Sequence, residues 1–261
     1  MKRSPSSYSV NSLKKGLSIL ECFTPRKHRF SLSEITKVAG ISKTTVFRLL
    51  NTFCELDYLK YDSENKKYYL GPKVLSLGFS VLQSLDIREI VRPYLEMLAR
   101  EFDSTVNLSI LDKTEMVYID RIKVHSIRDF NINIGDRIPV YNTAAGRAVL
   151  AYLGREKLLG ILKEIRKHPN ASGFIGKDGN KLIRILDNVR ANGFSISDEE
   201  VLKGVRAIAV PAFSHQKEYY AVNVVVASEL VSVNELKTKY APKLIKVGRE
   251  LSKAIGYQGV E

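Results

Sequence analysis

The segment SKTTVFRLLN, Ser42 to Asn51, groups side chains suited to touching a nucleic acid. An arginine such as Arg48 can pair bidentately with guanine, an asparagine such as Asn51 with adenine, and Thr44 or Phe47 can lie against a thymine methyl. Lys43 adds a charge suited to a phosphate. A solvated helix flank is the competing reading of the same residues. Candidates for catalysis are scarcer. The four histidines, His28, His125, His168 and His215, form no metal-spaced pair and stand beside no GxSxG-like motif. Cys22 and Cys54 lack partners at metal-ligand spacing and lie in apolar helical patterns, as small buried hydrophobes do. The adjacent Glu199 and Glu200 should diverge instead of sharing a proton, and a solvated loop accounts for them. No cofactor or metal is expected.

The elements that must hold Arg48 and Asn51 follow from periodicity. A first helix fits Val10 to Phe23, with Leu13, Leu17, Ile19 and Leu20 on its apolar side and Pro25 ending it. Ser31 or Ser33 can cap a second helix carrying Leu32, Ile35, Val38 and Ala39. Gly40 permits a sharp turn, and Ser42 is a natural N-cap for a third helix. There Val46, Leu49, Leu50 and Phe53 fall within about 100° of one another, while Thr44, Phe47, Arg48 and Asn51 point the other way. Two short helices joined through a glycine turn make a helix-turn-helix, whose second helix presents its N-terminal residues to base edges. Next, Tyr58–Tyr61 and Lys67–Leu70 read as two strands around the turn DSENKK, a wing that places Lys60, Lys66 and Lys67 near phosphates. Of Tyr68 and Tyr69, one should pack on the helices.

Bulk properties agree. A chain of 261 residues is long enough for two domains. Its net charge of +13 suits a polyanionic partner, and residues 1–80 alone carry +8 of it. A lysine-rich surface serving solubility or heat resistance is the alternative. No run approaches the roughly 20 apolar residues of a membrane span, and MKRSPSSYSV has no apolar core of a secretion signal, so a cytoplasmic location is expected.

Between Val74 and Leu85 the sequence VLSLGFSVLQSL holds no charge and is apolar nearly all round. Such a helix must be buried on several sides, either against a copy of itself or within its own chain. The first option gives a dimer with two reading heads, suited to a pseudo-palindromic double-stranded operator. After Asp86 helices are expected at Ile87–Phe102, Glu156–Lys167, Asp178–Asn192 and Val233–Ile255. Strands are expected at Val106–Leu111, Met116–Asp120, Phe130–Ile134, Arg206–Pro211 and Tyr219–Ala227. Interleaved in this way they describe a mixed α/β sheet domain. Between them, Asn142 or Thr143 can cap a helix opened by Ala144, Ala145 and Gly146. Backbone N–H groups there could meet a carboxylate; tight helix-on-sheet packing explains the small residues equally well.

ISKTTVFRLL, DYLKYDSENKKYYLG, GDRIPVYNTAAGRAVLA and DEEVLKGVRAIAVPAF together resemble the IclR family of transcription regulators, over about Val10 to Ile255. The resemblance implies an α+β protein. Its parts would be an N-terminal winged helix-turn-helix DNA-binding domain (8–71), a linker and dimerisation helix (72–86) and a C-terminal GAF-like α/β effector-binding domain (87–258). It implies a homodimer or dimer of dimers, a small organic acid or aromatic effector, and no enzymatic activity. By position, Thr45 and Arg48 would lie on the reading helix, and Ala144 and Ala145 at the effector carboxylate. Phe130, Ser197, Ala207, Val224 and Val226 would complete the pocket. Family members that bind very small keto acids carry an acid, a cysteine and two serines at the last four positions. Their replacement here implies a larger, more apolar ligand, or a lost response. Two other classes remain open: a nonspecific architectural DNA binder whose second domain only oligomerises, and an enzyme built on the second domain.

Overall fold

The computed structural model describes residues 9–24, 27–84, 87–124, 132–176, 180–216 and 218–257. They form two compact units that divide at Ser84/Leu85. The N-terminal unit runs α1 (Asn11–Leu20), α2 (Leu32–Ala39), α3 (Lys43–Glu55), β1 (Leu59–Asp62), β2 (Lys67–Leu70) and α4 (Lys73–Ser84). Its core gathers Ile19, Phe23, Phe30, Ile35, Val46, Leu50, Leu59 and Tyr68. At the start of α2 Ser31 is the cap: its hydroxyl accepts from the Glu34 N–H while the Glu34 carboxylate accepts from the Ser31 N–H, a reciprocal capping box. Gly40 turns the chain in the left-handed conformation before α3.

Several expectations for this unit fail. The first helix ends at Leu20, and Phe23 folds back edge-on to Phe30, 5.3 Å away. Its buried face carries Gly16 and Ile19, whereas Leu13 and Leu17 are exposed. Gly16 decides this, since a Cβ there would stand 3.2 Å from the Phe53 ring, so α1 approaches α3 through the glycine and turns the two leucines outward. Val38 of α2 is likewise exposed.

The C-terminal unit opens with α5 (Ile87–Phe102), β3 (Thr105–Asp112), β4 (Glu115–Ile122) and β5 (Arg137–Pro139). Helices α6 (Ala144–Leu150), α7 (Arg155–Ile165), α8 (Ser172–Ile175) and α9 (Asn180–Asn192) follow. Then come β6 (Ser195–Asp198), β7 (Val205–Phe213), β8 (Tyr219–Ala227), α10 (Val233–Glu235) and α11 (Ala241–Ala254). The six strands form one antiparallel sheet in the order β5-β4-β3-β8-β7-β6. Helices α5 and α11 pack on one face and α6 on the other. This is the α+β architecture expected, a winged helix-turn-helix followed by an α/β domain. Three local readings change. Ile132–Ile134 is not a strand, and Arg137–Pro139 pairs with β4 instead. β6 was not anticipated. The last helix is interrupted by a π turn at Leu236–Tyr240, just before Pro242.

Among the described residues no helix is long and apolar enough to cross a membrane, and no His/Cys/Asp/Glu group could hold a metal ion.

Candidate nucleic-acid interface and ligand cavity

On α3, Val46 and Leu50 are buried while Lys43, Thr44, Phe47, Arg48 and Asn51 face solvent, and Thr45 is half-buried. Phe47 exposes 47% of its surface, unusual for a phenylalanine in a small unit with its own core. Ser42 occupies the N-cap position but makes no side-chain cap; its hydroxyl lies 2.9 Å from the Thr45 hydroxyl. The first turn of α3 therefore donates to the Ser42 carbonyl, from the Val46 N–H at 3.0 Å, but not to its hydroxyl, which departs from the expected cap.

The wing is built by Asp62, whose carboxylate accepts from the N–H groups of Glu64 and Asn65, both at 3.1 Å, and from the Asn65 side chain at 2.9 Å. These bonds hold its carboxyl below the usual range, with Arg29 adding its charge at 2.6 Å. Lys66 closes the turn at φ 53° and is exposed, beside the half-buried Lys67 that begins β2. Lys60 is already ion-paired with Asp57. Tyr68 is the buried member of the tyrosine pair, and its backbone bridges to Phe30. Arg29, stacked 4.8 Å over the Tyr69 ring, is a cation of this surface that periodicity did not single out. The head joins α4 tightly. Lys73 donates to the Leu56 carbonyl at 3.0 Å, and a Cβ on Gly71 would stand 2.3 Å from the Asp57 carbonyl oxygen.

In the C-terminal unit, Ala144, Ala145, Ser197 and Ala207 line one cavity with Tyr118, Thr143, Asn223 and Val225. Val224 and Val226 are not part of it. Side chains alternate along β8, and pairing puts Ser197, Ala207 and Val225 in one row, Ser195, Ala209, Asn223 and Asn107 in the next. The expected assignment is one residue out of register, which sends both valines to the α5/α11 face. Asn223 therefore stands where an apolar side chain was expected. The amide oxygens of Asn223 and Asn107 and the hydroxyls of Ser195 and Ser109 are buried without a hydrogen-bond partner. Sequence reading missed all four, although a lone Asn inside AVNVVVA and another inside TVNLSIL were visible signals. Phe130 lies outside the described residues, as does His125.

The cavity measures only ≈ 20 Å³, room for about one water molecule. Thr143 caps α6 by accepting from the Gly146 N–H at 3.0 Å. Behind it the buried Arg147 donates to the Tyr141 carbonyl at 2.9 Å and is ion-paired with Glu200. Glu199 turns the other way, at φ 57°, and accepts from the Gly204 N–H at 2.8 Å. The two glutamates diverge as expected, but neither is a mere solvated loop residue. Burial pushes the Tyr118 hydroxyl above its usual pKa and Arg121, beside it, below its own.

A helix-turn-helix with a wing, followed by an α/β domain that encloses polar groups, defines a two-domain DNA-binding regulator. Residues 12–63 match the IclR helix-turn-helix domain and residues 79–253 the bacterial transcriptional regulator IclR C-terminal domain. The HTH-type transcriptional regulator XynR of Escherichia coli K12 is 31% identical, over 95% of this chain and 98% of its own. KipR of Bacillus subtilis 168, also an HTH-type transcriptional regulator, is 31% identical over 93% of this chain and 96% of its own. Among solved structures, an IclR family transcriptional regulator from Brucella abortus superposes with a TM-score of 0.83 at 29% identity, covering 96% of this chain and 94% of that one. The chain belongs to the IclR family of transcriptional regulators.

Proposed function

We propose that the protein binds a specific double-stranded operator as a homodimer or dimer of dimers and that a small organic acid bound in the C-terminal domain controls this binding. The observation that carries the reading is the exposed set Thr44, Phe47, Arg48 and Asn51 on the second helix of a helix-turn-helix, with Lys66 and Lys67 on the adjoining wing. Base-edge contacts from α3 supply specificity, and contacts from Ser42, Lys43, Thr45 and the wing fix register on the backbone. Lys60 joins them by exchanging Asp57 for a phosphate, since an exposed pair of this kind is weak. Helix α4 supports self-association: Leu75, Leu77 and Phe79 are more than half exposed in the single chain, and a second copy of the same helix would cover them.

For the effector, Ala144, Ala145, Ser197, Ala207 and Asn223 form the wall. The unpartnered amide and hydroxyl oxygens behind it favour a ligand that brings hydrogen-bond donors of its own. This replaces the more apolar acid expected from valines at 224 and 226. The small cavity must open to admit it, which links occupancy to the conformation of the domain.

The test is a titration of DNA from around the protein's own gene against random DNA of equal length at two salt concentrations. A preference on the order of a thousandfold for one fragment is expected. Equal affinities that fall together with salt would overturn the reading in favour of an architectural binder.

A further inference from the structure

A second cleft lies at the far end of β7. Strand β6 pairs with β7 only as far as Ala209, so beyond that residue β7 is a sheet edge. Val210 and Pro211 floor a cleft of ≈ 450 Å³ there, within the roughly 300–1,000 Å³ typical of small-molecule sites. It shares no residue with the cavity under α6.

Its walls are aromatic. The Phe213 ring lies 5.5 Å from Tyr152 and 5.2 Å from Tyr257, so the three rings pack into one aromatic wall with Phe213 in the middle. Its rim is cationic. Arg249 and Lys253, one turn apart on α11, are exposed and have no carboxylate partner among the described residues. Their neighbours Lys243 and Lys246 pair with Glu101 and Glu250. Arg249 also bears on the Tyr152 hydroxyl, together with Arg190. No acidic residue lines the cleft among the described residues.

An extended peptide cannot add to this edge. Pro211 has no N–H, and the N–H of Phe213 already donates to the Ser252 hydroxyl at 3.2 Å, which itself donates to the Gly248 carbonyl at 2.7 Å. The outward donors that strand addition requires are thus missing or taken. What remains is an aromatic wall against which a flat ring can lie, with Arg249 and Lys253 at the rim.

We propose that this cleft binds a small planar aromatic carboxylate, its ring against Phe213 between Tyr152 and Tyr257 and its carboxylate on Arg249 and Lys253. The site is independent of the cavity under α6 and gives the domain a second input. Calorimetry of the full-length protein with benzoate as the probe tests it. One saturable site is expected, weakened at least about tenfold in R249Q/K253Q. F213L should weaken it too, while cyclohexanecarboxylate and inorganic phosphate bind more weakly to the native chain. Undiminished benzoate affinity in R249Q/K253Q would overturn the proposal, as would equal binding of cyclohexanecarboxylate. Loss of benzoate binding in A207L, which fills the cavity under α6, would assign the probe there and sink the second site. So would a changed oligomeric state in R249Q/K253Q without saturable benzoate binding, which would give the cleft to a second copy of the chain.

Discussion

Arg48 and Lys66 are both exposed cations of the N-terminal unit, yet the proposed DNA contact gives them different tasks. Arg48 projects from the face of α3 opposite Val46 and Leu50; Lys66 sits at the tip of the wing turn. Arg48→Ala should cost about 1–3 kcal/mol against the operator and much less against random DNA, so the affinity ratio falls. Lys66→Gln should weaken both equally and make the log–log salt slope shallower by about 1. Competition binding at several salt concentrations separates the two. Glu34 makes a pH prediction. Its hydrogen bonds with Lys27 and with Ser31 hold its carboxyl at about 2. A folded value below the unfolded one stabilises the unit above the unfolded carboxylate range, near 4.3, and the contribution is lost as pH falls towards about 2. The stability gap between the native chain and Glu34→Gln should therefore narrow across that window, measurable by denaturant titration at successive pH values.

At the scale of elements, α4 and the α6–β6 region carry the next tests. Helix α4 is anchored to the reading head at Gly71 and Lys73 and is apolar along its exposed length. Phe79→Glu should leave each unit folded and shift the protein to monomers in sedimentation, lowering operator affinity through loss of the paired head. Arg147 is buried and ties three segments together: its own helix, the Tyr141 carbonyl and Glu200 beyond β6. Arg147→Ala removes the cation and leaves those acceptors without it, a change of about 3–5 kcal/mol in the C-terminal unit. Unfolding should show the loss in that unit while the N-terminal one is unchanged.

For the whole molecule, regulation requires that an event in one unit alter the DNA affinity of the other. Binding linkage makes the effect reciprocal: an acid that weakens operator binding must itself bind less tightly to the operator complex, by the same factor. The cavity under α6 is nearly closed at ≈ 20 Å³, so occupancy there must be coupled to a rearrangement. The cleft at the β7 edge is already open at ≈ 450 Å³. Filling the first site therefore requires its lining to rearrange, whereas the second can be filled as it stands and acts by favouring the conformation it fits.

The amino-acid sequence by itself determined the two-unit plan, the helix-turn-helix, the wing and the limits of most long elements. These rest on local signals: the 3.6-residue period of Val46, Leu49, Leu50 and Phe53, the candidate caps Ser31 and Ser33 before the second helix, and the polar turn after β1. Tertiary structure alone decided three things. It chose which face of β8 meets α6, because alternation is equally satisfied by either register when both faces are buried. It made Glu200 the partner of Arg147, 53 positions away in sequence. It let Gly16 bring α1 against Phe53, which turned Leu13 and Leu17 outward against their hydrophobic pattern. Each depends on contacts between segments distant in the chain, and periodicity reports only which residues share a face, not what that face will meet.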